Sequence, residues 1–432
     1  MRFFITLVFS LFHFVAVSAI WSVGPSQTYS NPSDVVGLVS VGDTVEIDAG
    51  TYLGDFCVWN TDNLYIKGVG GLAHLDATGF TIPNLKAIWV INGDNLIIEN
   101  IEFSGASVPD KNGAGIRMQG TNLTITHCYF HDNENGILAG DNPLSDILIE
   151  YSIFSDNGFG DGLSHNMYIN RIQSFILRYS YSHDAIVGHT VKSRAQNTSI
   201  LFNRIMDENI GSASFLIDIP NGGKSFIIGN LIHQGEFATN GNVISYGYEG
   251  LTNLVSELYV MNNTMVNERN LCYNFLRIAS ATNEVHIVNN LFVDSSCQIT
   301  NYTGTIDTLT NILTNNPGLV DLLNYDYSLS STSIAIEAGS DPDSVGIYYL
   351  TPQYEYLHPA NVSSRIMSGL AVDVGAYEYV SPSSENAFIS LEHKQQLIKI
   401  VDVLGRETKR TANKLLFYIY DNGRVEKKFF VD

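Results

Sequence analysis

Positive charge is scarce in this chain. Its 432 residues hold 23 Lys/Arg against 44 Asp/Glu, a formal charge of −21. Such a surface repels phosphate backbones, which excludes a nucleic-acid binder. An anionic substrate would need a local basic patch or a bridging cation. Cysteine is also rare: Cys57, Cys128, Cys272 and Cys297 are too scattered for a disulfide framework, and none forms a CxxC pair. Cys272 and Cys297 lie 25 residues apart, about one period of the repeat described below. They can stack and bridge after export, or remain as buried thiols. Long amphipathic helix patterns are missing, and so are motifs for nucleotides, zinc or a Gly-x-Ser-x-Gly nucleophile.

The chain opens on Arg2, an apolar run FFITLVFSLFHFVAV and the small residues Val17-Ser18-Ala19. Residues 1–19 thus read as a secretory signal, and the mature protein is expected to be exported. No later segment approaches the ~18 consecutive apolar residues of a membrane helix, so no membrane span is expected in the mature protein. Near the other end, the Ser/Pro-rich stretch VSPSSEN (380–386) reads as a linker. It separates residues 20–379 from a short basic tail, 387–432, with nine Lys/Arg against six Asp/Glu.

Between these ends one phrase recurs. It reads NLIIENIEF at Asn95, NLTITHCYF at Asn122, DILIEYSIF at Asp146 and SFILRYSYS at Ser174. It continues as TSILFNRIM at Thr198, SFIIGNLIH at Ser225, ELYVMNNTM at Glu257 and EVHIVNNLF at Glu284. The start-to-start intervals are 27, 24, 28, 24, 27, 32 and 27 residues. The fourth position is always aliphatic and the second is apolar except at Ser199, the mark of strands that share one inward face. Helical repeats need amphipathic helix pairs and propeller blades need about 40–45 residues. A solenoid of parallel strands remains, each coil adding one rung about 4.8 Å from the last. The sixth position is Asn at 100, 203, 230, 262 and 289, which predicts an asparagine ladder along the axis.

On these phrases the chain resembles the right-handed parallel β-helix superfamily, the pectate-lyase-like fold of many polysaccharide lyases, hydrolases and epimerases. The resemblance covers about Val45 to Val320. The segment Tyr325 to Tyr379 is similar to the closing region of such proteins and is expected to cap the last coil. In the tail, VDVLGRE, NKLLFYIY, the turn DNG and the terminal VEKKFFVD resemble the C-terminal sorting domain of the type IX secretion system. That resemblance implies the type IX machinery as a partner and a destination outside the cell or on its surface. The expected fold is all-β: a right-handed parallel β-helix solenoid followed by a small C-terminal β-sandwich-like domain.

In such a solenoid the interior is packed, so chemistry sits on outward rungs. A second strand precedes each phrase, and aligning these strands puts Arg117, Leu138, Tyr168, Lys192 and Asp218 on successive outward rungs. His165 and His189 each lie three residues before an outward residue and are expected to stack, while Arg194 faces the same side as Lys192. This set suits chemistry at a uronic acid, where a base removes the proton alpha to the carboxylate and cations neutralise the growing charge. Lys192, flanked by Arg194, would be the base, Arg194 would hold the carboxylate, and Tyr168 or a histidine would protonate the leaving oxygen. Lys/Arg pairs on an outer sheet are similar to those of alginate and chondroitin lyases on this fold, by position only. The plain alternative is solvated charge on a strand face.

A second series follows the first strand: FHD, FSD and SHD place Asp132, Asp156 and Asp184 on consecutive rungs, and Asp207 joins if the coil slips by one residue. Stacked carboxylates suit a Ca²⁺ site of oxygen ligands, an acid pair for glycosidic hydrolysis, or turn residues that cap backbone amides. Tyr151, Tyr179, Tyr181, Tyr246 and Tyr248 are expected outward, where they could stack on sugars. The leading functional expectation is an exported protein acting on a polysaccharide, as a lyase or epimerase of a uronate polymer. The alternatives are a hydrolase using the Asp stack and a non-catalytic, glycan-binding or adhesive β-helix.

Overall fold

The computed structural model describes residues 18–345, 348–381 and, in the tail, 397–401, 406, 408–409, 415–420 and 425–429. Most of the signal expected at 1–19, of the linker at 380–386 and the LGRE and DNG features of the tail lie outside the described residues. The chain divides into two compact units, Met1–Tyr379 and Val380–Asp432. In the second, Leu397–Val401, Leu415–Tyr420 and Val425–Phe429 form a three-stranded antiparallel sheet. Among the described residues no helix is long and apolar enough to cross a membrane.

The first unit is a parallel β-helix of three strand columns. The first face carries the recurring phrase, as in Leu123–Thr126, Ile172–Arg178 and Gly223–Ile228. The second face follows after a turn, as in Tyr129–His131, Tyr181–His183 and Leu231–Gln234. The third is a ten-stranded sheet from Cys57–Trp59 to Gln298–Thr300. Alternation decides what goes inside. Ile98, Ile125, Ile149 and Leu177 from the first face and Phe103, Phe130 and Phe154 from the second are fully buried. Phe103, Phe130 and Phe154 stack ring on ring at 4.9 and 4.6 Å between centroids.

The corner between the first two faces corrects the expected ladder. Thr198 pairs with Phe175 and Ser225 with Thr198, so the inward residues of these coils are Thr198/Ile200 and Ser225/Ile227. Two phrases therefore begin one residue earlier than the hydrophobic pattern suggested. With that shift, the sixth position is the corner residue of positive φ: Asn100, His127, Tyr151, Tyr179, Phe202, Asn262 and Asn289. The seventh position is the true ladder. Its Asn203, Asn230, Asn263, Asn290 and Asn311 each accept, on the side-chain oxygen, a backbone N–H from the coil before, at 2.9 Å throughout. Ser152 and Ser180 extend it toward the N-terminus. Each member satisfies backbone groups that a buried corner would otherwise leave unpaired.

The closing segment also departs from expectation. Rather than only sealing the last coil, it folds back along the outside of the helix. Tyr354 packs edge-on against Tyr179 and Phe202, His358 against Tyr181, and Leu350 joins Phe226, Ile228 and Tyr259. Outward aromatics on the first two faces are thereby covered, which removes Tyr179 and Tyr181 from the set free to meet a sugar. Tyr246 points inward and donates its hydroxyl to the Gly223 carbonyl, while Tyr248 stays exposed under the Arg277 guanidinium. Cys272 and Cys297 are bridged, with Cα atoms 5.0 Å apart.

Candidate active site on the third face

The outward rungs of the third sheet stand in the expected register. Arg117 pairs with Leu138, Leu138 with Tyr168, Tyr168 with Lys192, and Lys192 with Asp218. Flanking inward residues Met167, Ile169, Val191, Ile217 and Ile219 anchor these strands in the core, so the outward side chains are held on a rigid surface.

Here charge is concentrated. Lys192 Nζ lies 3.3 Å from Asp218 Oδ2 and 3.1 Å from Glu249 Oε1. Arg194 donates to the Tyr168 hydroxyl at 3.0 Å, to Asn221 at 2.6 Å and to Glu249 Oε2 at 2.6 Å. Lys192 is only 8% exposed and Asp218 only 4%. Asp218 was expected beside Lys192 and Arg194 on the same side; the structure adds Glu249, so that Lys192 lies between two carboxylates. Burial pushes the Asp218 carboxyl up, and Lys192 pulls against it. Burial also acts to raise Glu249, but Arg194 and Lys192 outweigh it and hold that carboxyl below its ordinary value.

His165 and His189 stack with centroids 4.7 Å apart and rings 10° from parallel. The His189 backbone N–H donates to His165 Nδ1 at 3.0 Å, which fixes that nitrogen as an acceptor. Gly188 makes the approach possible: a Cβ there would lie 1.7 Å from the Ser164 carbonyl oxygen. Burial, then the charges of His189 and Lys192, hold His165 well below the usual imidazole range. Burial, then Lys192 and Arg194, push His189 down to about 3. Both rings are neutral at physiological pH. The 3.5 Å approach of His189 Nε2 to Asp218 is therefore a polar contact of a neutral ring.

Three contributors escaped the sequence. Ser245 pairs with Asp218 on the next rung, and extending the rung alignment by one coil finds it. Asn221 follows the Asp218 strand, and Glu249 comes from the turn Gly247–Gly250, both glycines at positive φ; neither position carries a periodic signal.

The acidic series is present but does not converge as a Ca²⁺ site. Asp132, Asp156 and Asp184 all sit at positive φ after second-face strands that pair in register. Asp132 Oδ2 meets His131 Nδ1 at 2.6 Å and Asp184 Oδ2 meets His183 Nδ1 at 2.7 Å. Burial, with neighbouring Asp184 and Asp132 among the further causes, raises Asp156. Among the described residues, the groups that could hold a cation are His74/Glu102/His131 and His183/Asp184/Glu208, not the aspartate trio. Asp207 follows Met206, which pairs with His183, but the positive-φ corner of this coil is Glu208, and the Asp207 carboxyl turns inward to accept from the N–H groups of Ala213 and Gly235.

Comparison with known proteins agrees with the architecture. Residues 62–213 match the family described as right handed beta helix region. Among solved structures, the chain is similar to pectate lyase Pel9A, with 16% identity and a TM-score of 0.57 over 84% of this chain and 97% of that one. No curated protein matches it. The fold is a pectate-lyase-like parallel β-helix; at this identity the likeness carries the fold and not the reaction.

Proposed function

We propose that the protein acts on a uronate-containing polysaccharide by removing the proton alpha to the sugar carboxylate, as a lyase or epimerase. The observation that carries the reading is Glu249: a carboxylate from a half-exposed turn already sits on Lys192 and Arg194, where a uronate carboxylate would bind. Substrate displaces Glu249 and leaves Lys192 with Asp218. Lys192 Nζ, 3.3 Å from Asp218 Oδ2, acts as the base in its amine form. The amine accepts the sugar proton while Arg194 neutralises the growing charge. In elimination Tyr168 gives its phenolic proton to the leaving oxygen, and Arg194 stabilises the phenolate. The neutral His165/His189 stack walls the site without adding a competing cation.

The same reading places the protein outside the cell, carried by the signal at 1–19 and by the type IX machinery acting on 387–432. A second reading, glycan binding without turnover, draws on the near-complete burial of Lys192 and its existing partners. Incubating the chain and its Lys192→Ala variant with pectate, alginate, glycosaminoglycan and neutral glycans separates them. An unsaturated product absorbing in the ultraviolet, lost in Lys192→Ala, is the expected result for a lyase. New reducing ends without that absorbance would point to hydrolysis instead. Proton exchange at the same carbon without chain cleavage would mark an epimerase. Binding with none of these products would leave the adhesive reading standing.

A further inference from the structure

We infer that His74, Glu102 and His131, on the second face and away from the Lys192 cluster, form a binding site for a divalent transition ion of the Zn²⁺ class. Three successive coils supply the three side chains, and the sheet register brings them together. His74 pairs with Glu102, Glu102 pairs with Tyr129, and His131 follows two residues later on the same outward side. Glu102 Oε1 lies 3.0 Å from His131 Nε2 and 3.8 Å from His74 Nε2. Two ligands of one tetrahedral zinc, each bound at 2.0–2.1 Å, lie about 3.3 Å apart, so these separations bracket what one ion requires. The side chains are 17 to 22% exposed, which leaves a path for entry and a coordination position for water.

Two further features point to a cation. Both ring nitrogens of His131 face carboxylate oxygens: Nδ1 meets Asp132 at 2.6 Å and Nε2 meets Glu102 at 3.0 Å. The Asp132 contact is also the outer support that metal-bound histidines use: a carboxylate on one ring nitrogen turns the other, unprotonated, toward the ion. At His74, Ser104 Oγ lies 2.7 Å from Nε2 and has a second acceptor in Asp76 Oδ1 at 3.5 Å. Its hydroxyl can turn away when Nε2 is engaged. The other convergent group is a poorer host, since Glu208 already pairs with Arg204 at 2.9 Å and accepts the Tyr181 hydroxyl. Two imidazoles and one carboxylate suit Zn²⁺, Co²⁺ or Ni²⁺ over Ca²⁺, which prefers six to eight oxygens.

The test is titration of the purified, tag-free chain with Zn²⁺ and Co²⁺, followed by competition with a coloured chelator and by the visible Co²⁺ spectrum. One saturable ion per chain is expected, undisturbed by excess Ca²⁺. His131→Ala and Glu102→Gln should lose it, with circular dichroism confirming that both variants remain folded. Asp132→Asn should keep the ion but bind it about 10–100-fold more weakly, and His183→Ala should bind as the parent does. The assignment is overturned by absence of saturable binding, by binding that survives His131→Ala with His74→Ala, or by loss of the ion in His183→Ala.

Discussion

Glu249→Gln tests whether the third-face cluster is built for a carboxylate. The native carboxylate makes two charge-assisted contacts, to Arg194 at 2.6 Å and to Lys192 at 3.1 Å. Buried, such hydrogen bonds contribute ~1.5–3 kcal/mol each. Glu249 is half exposed, with 49% of its side chain accessible, so solvent screening brings each nearer the 0.2–1 kcal/mol of a surface pair. Together they come to about 1–2 kcal/mol that an incoming uronate must displace. Glutamine keeps the shape and loses the charge, so the variant should bind a uronate oligomer roughly 5–30-fold more tightly, at 1.4 kcal/mol per tenfold. The fold should hold, because Lys192 retains Asp218 and Arg194 retains Asn221 and Tyr168. Calorimetric titration with galacturonate and alginate trisaccharides measures the change, and cellotriose serves as the neutral control. Unchanged or weaker affinity for every uronate, or an equal gain for cellotriose, would refute the view of Glu249 as a carboxylate stand-in.

Other perturbations address the frame. Asn230→Ala removes a side chain that accepts from the Asn203 backbone and amide and donates to Ile200, Ile228 and Asn263. With several buried groups unpaired at ~1–3 kcal/mol each, urea unfolding should show a loss of about 3–5 kcal/mol, whereas the exposed Asn92→Ala should cost under ~1 kcal/mol. Asp207 is fully buried, and burial pushes its carboxyl up to about 7 against the Ala213 and Gly235 amides. A raised folded pKa gives stability that is complete below the unfolded value near pH 4 and is lost as pH rises toward 7. Asp207→Asn should therefore gain on the parent by ~1.4 kcal/mol per pH unit across that window, read as a growing difference in melting temperature. His189, depressed to about 3, works oppositely: its contribution is complete above pH ~6.5 and is lost as pH falls toward 3. His189→Phe should flatten that acid limb. Cys272→Ser with Cys297→Ser opens a loop spanning 25 positions and should cost about 3.5 kcal/mol in the chain-entropy account, measured by denaturant midpoint.

The solenoid was legible because its signal is repeated eight times and depends only on alternation, which any one coil can violate without hiding the rest. Ser199 shows the limit. At that coil Ile200 and Leu201 are both aliphatic, so hydrophobicity alone cannot tell which one points inward. The structure buries Ile200 fully and leaves Leu201 partly exposed. A one-residue slip in a strand exchanges its two faces, and here it divided one ladder of asparagines between two columns. The third face escaped this trap. Several of its strands carry a charged residue between two apolar ones, as in Ile116-Arg117-Met118 and Ile217-Asp218-Ile219, so only one register keeps the charges out of the core.

The chemistry was harder to read because register places only residues within strands. Lys192, Tyr168 and Asp218 could be aligned by rung, and His165 with His189 by a constant offset. Glu249 stands 57 positions after Lys192 in a turn whose length no periodicity constrains, yet it contacts both Lys192 and Arg194. The same reasoning separates the two aspartate roles. Asp132, Asp156 and Asp184 recur at one corner because that corner needs a left-handed residue, which Asp tolerates better than most. A regular spacing of carboxylates is thus explained by backbone geometry before any ligand is invoked. What the corner does not require is a histidine immediately before the aspartate. His131 and His183 have one where the middle coil has Ser155, and at His131 the partner across the rungs is a glutamate with no Lys or Arg paired to it among the described residues. The departure from the repeat, rather than the repeat itself, marks the place where an ion has reason to bind.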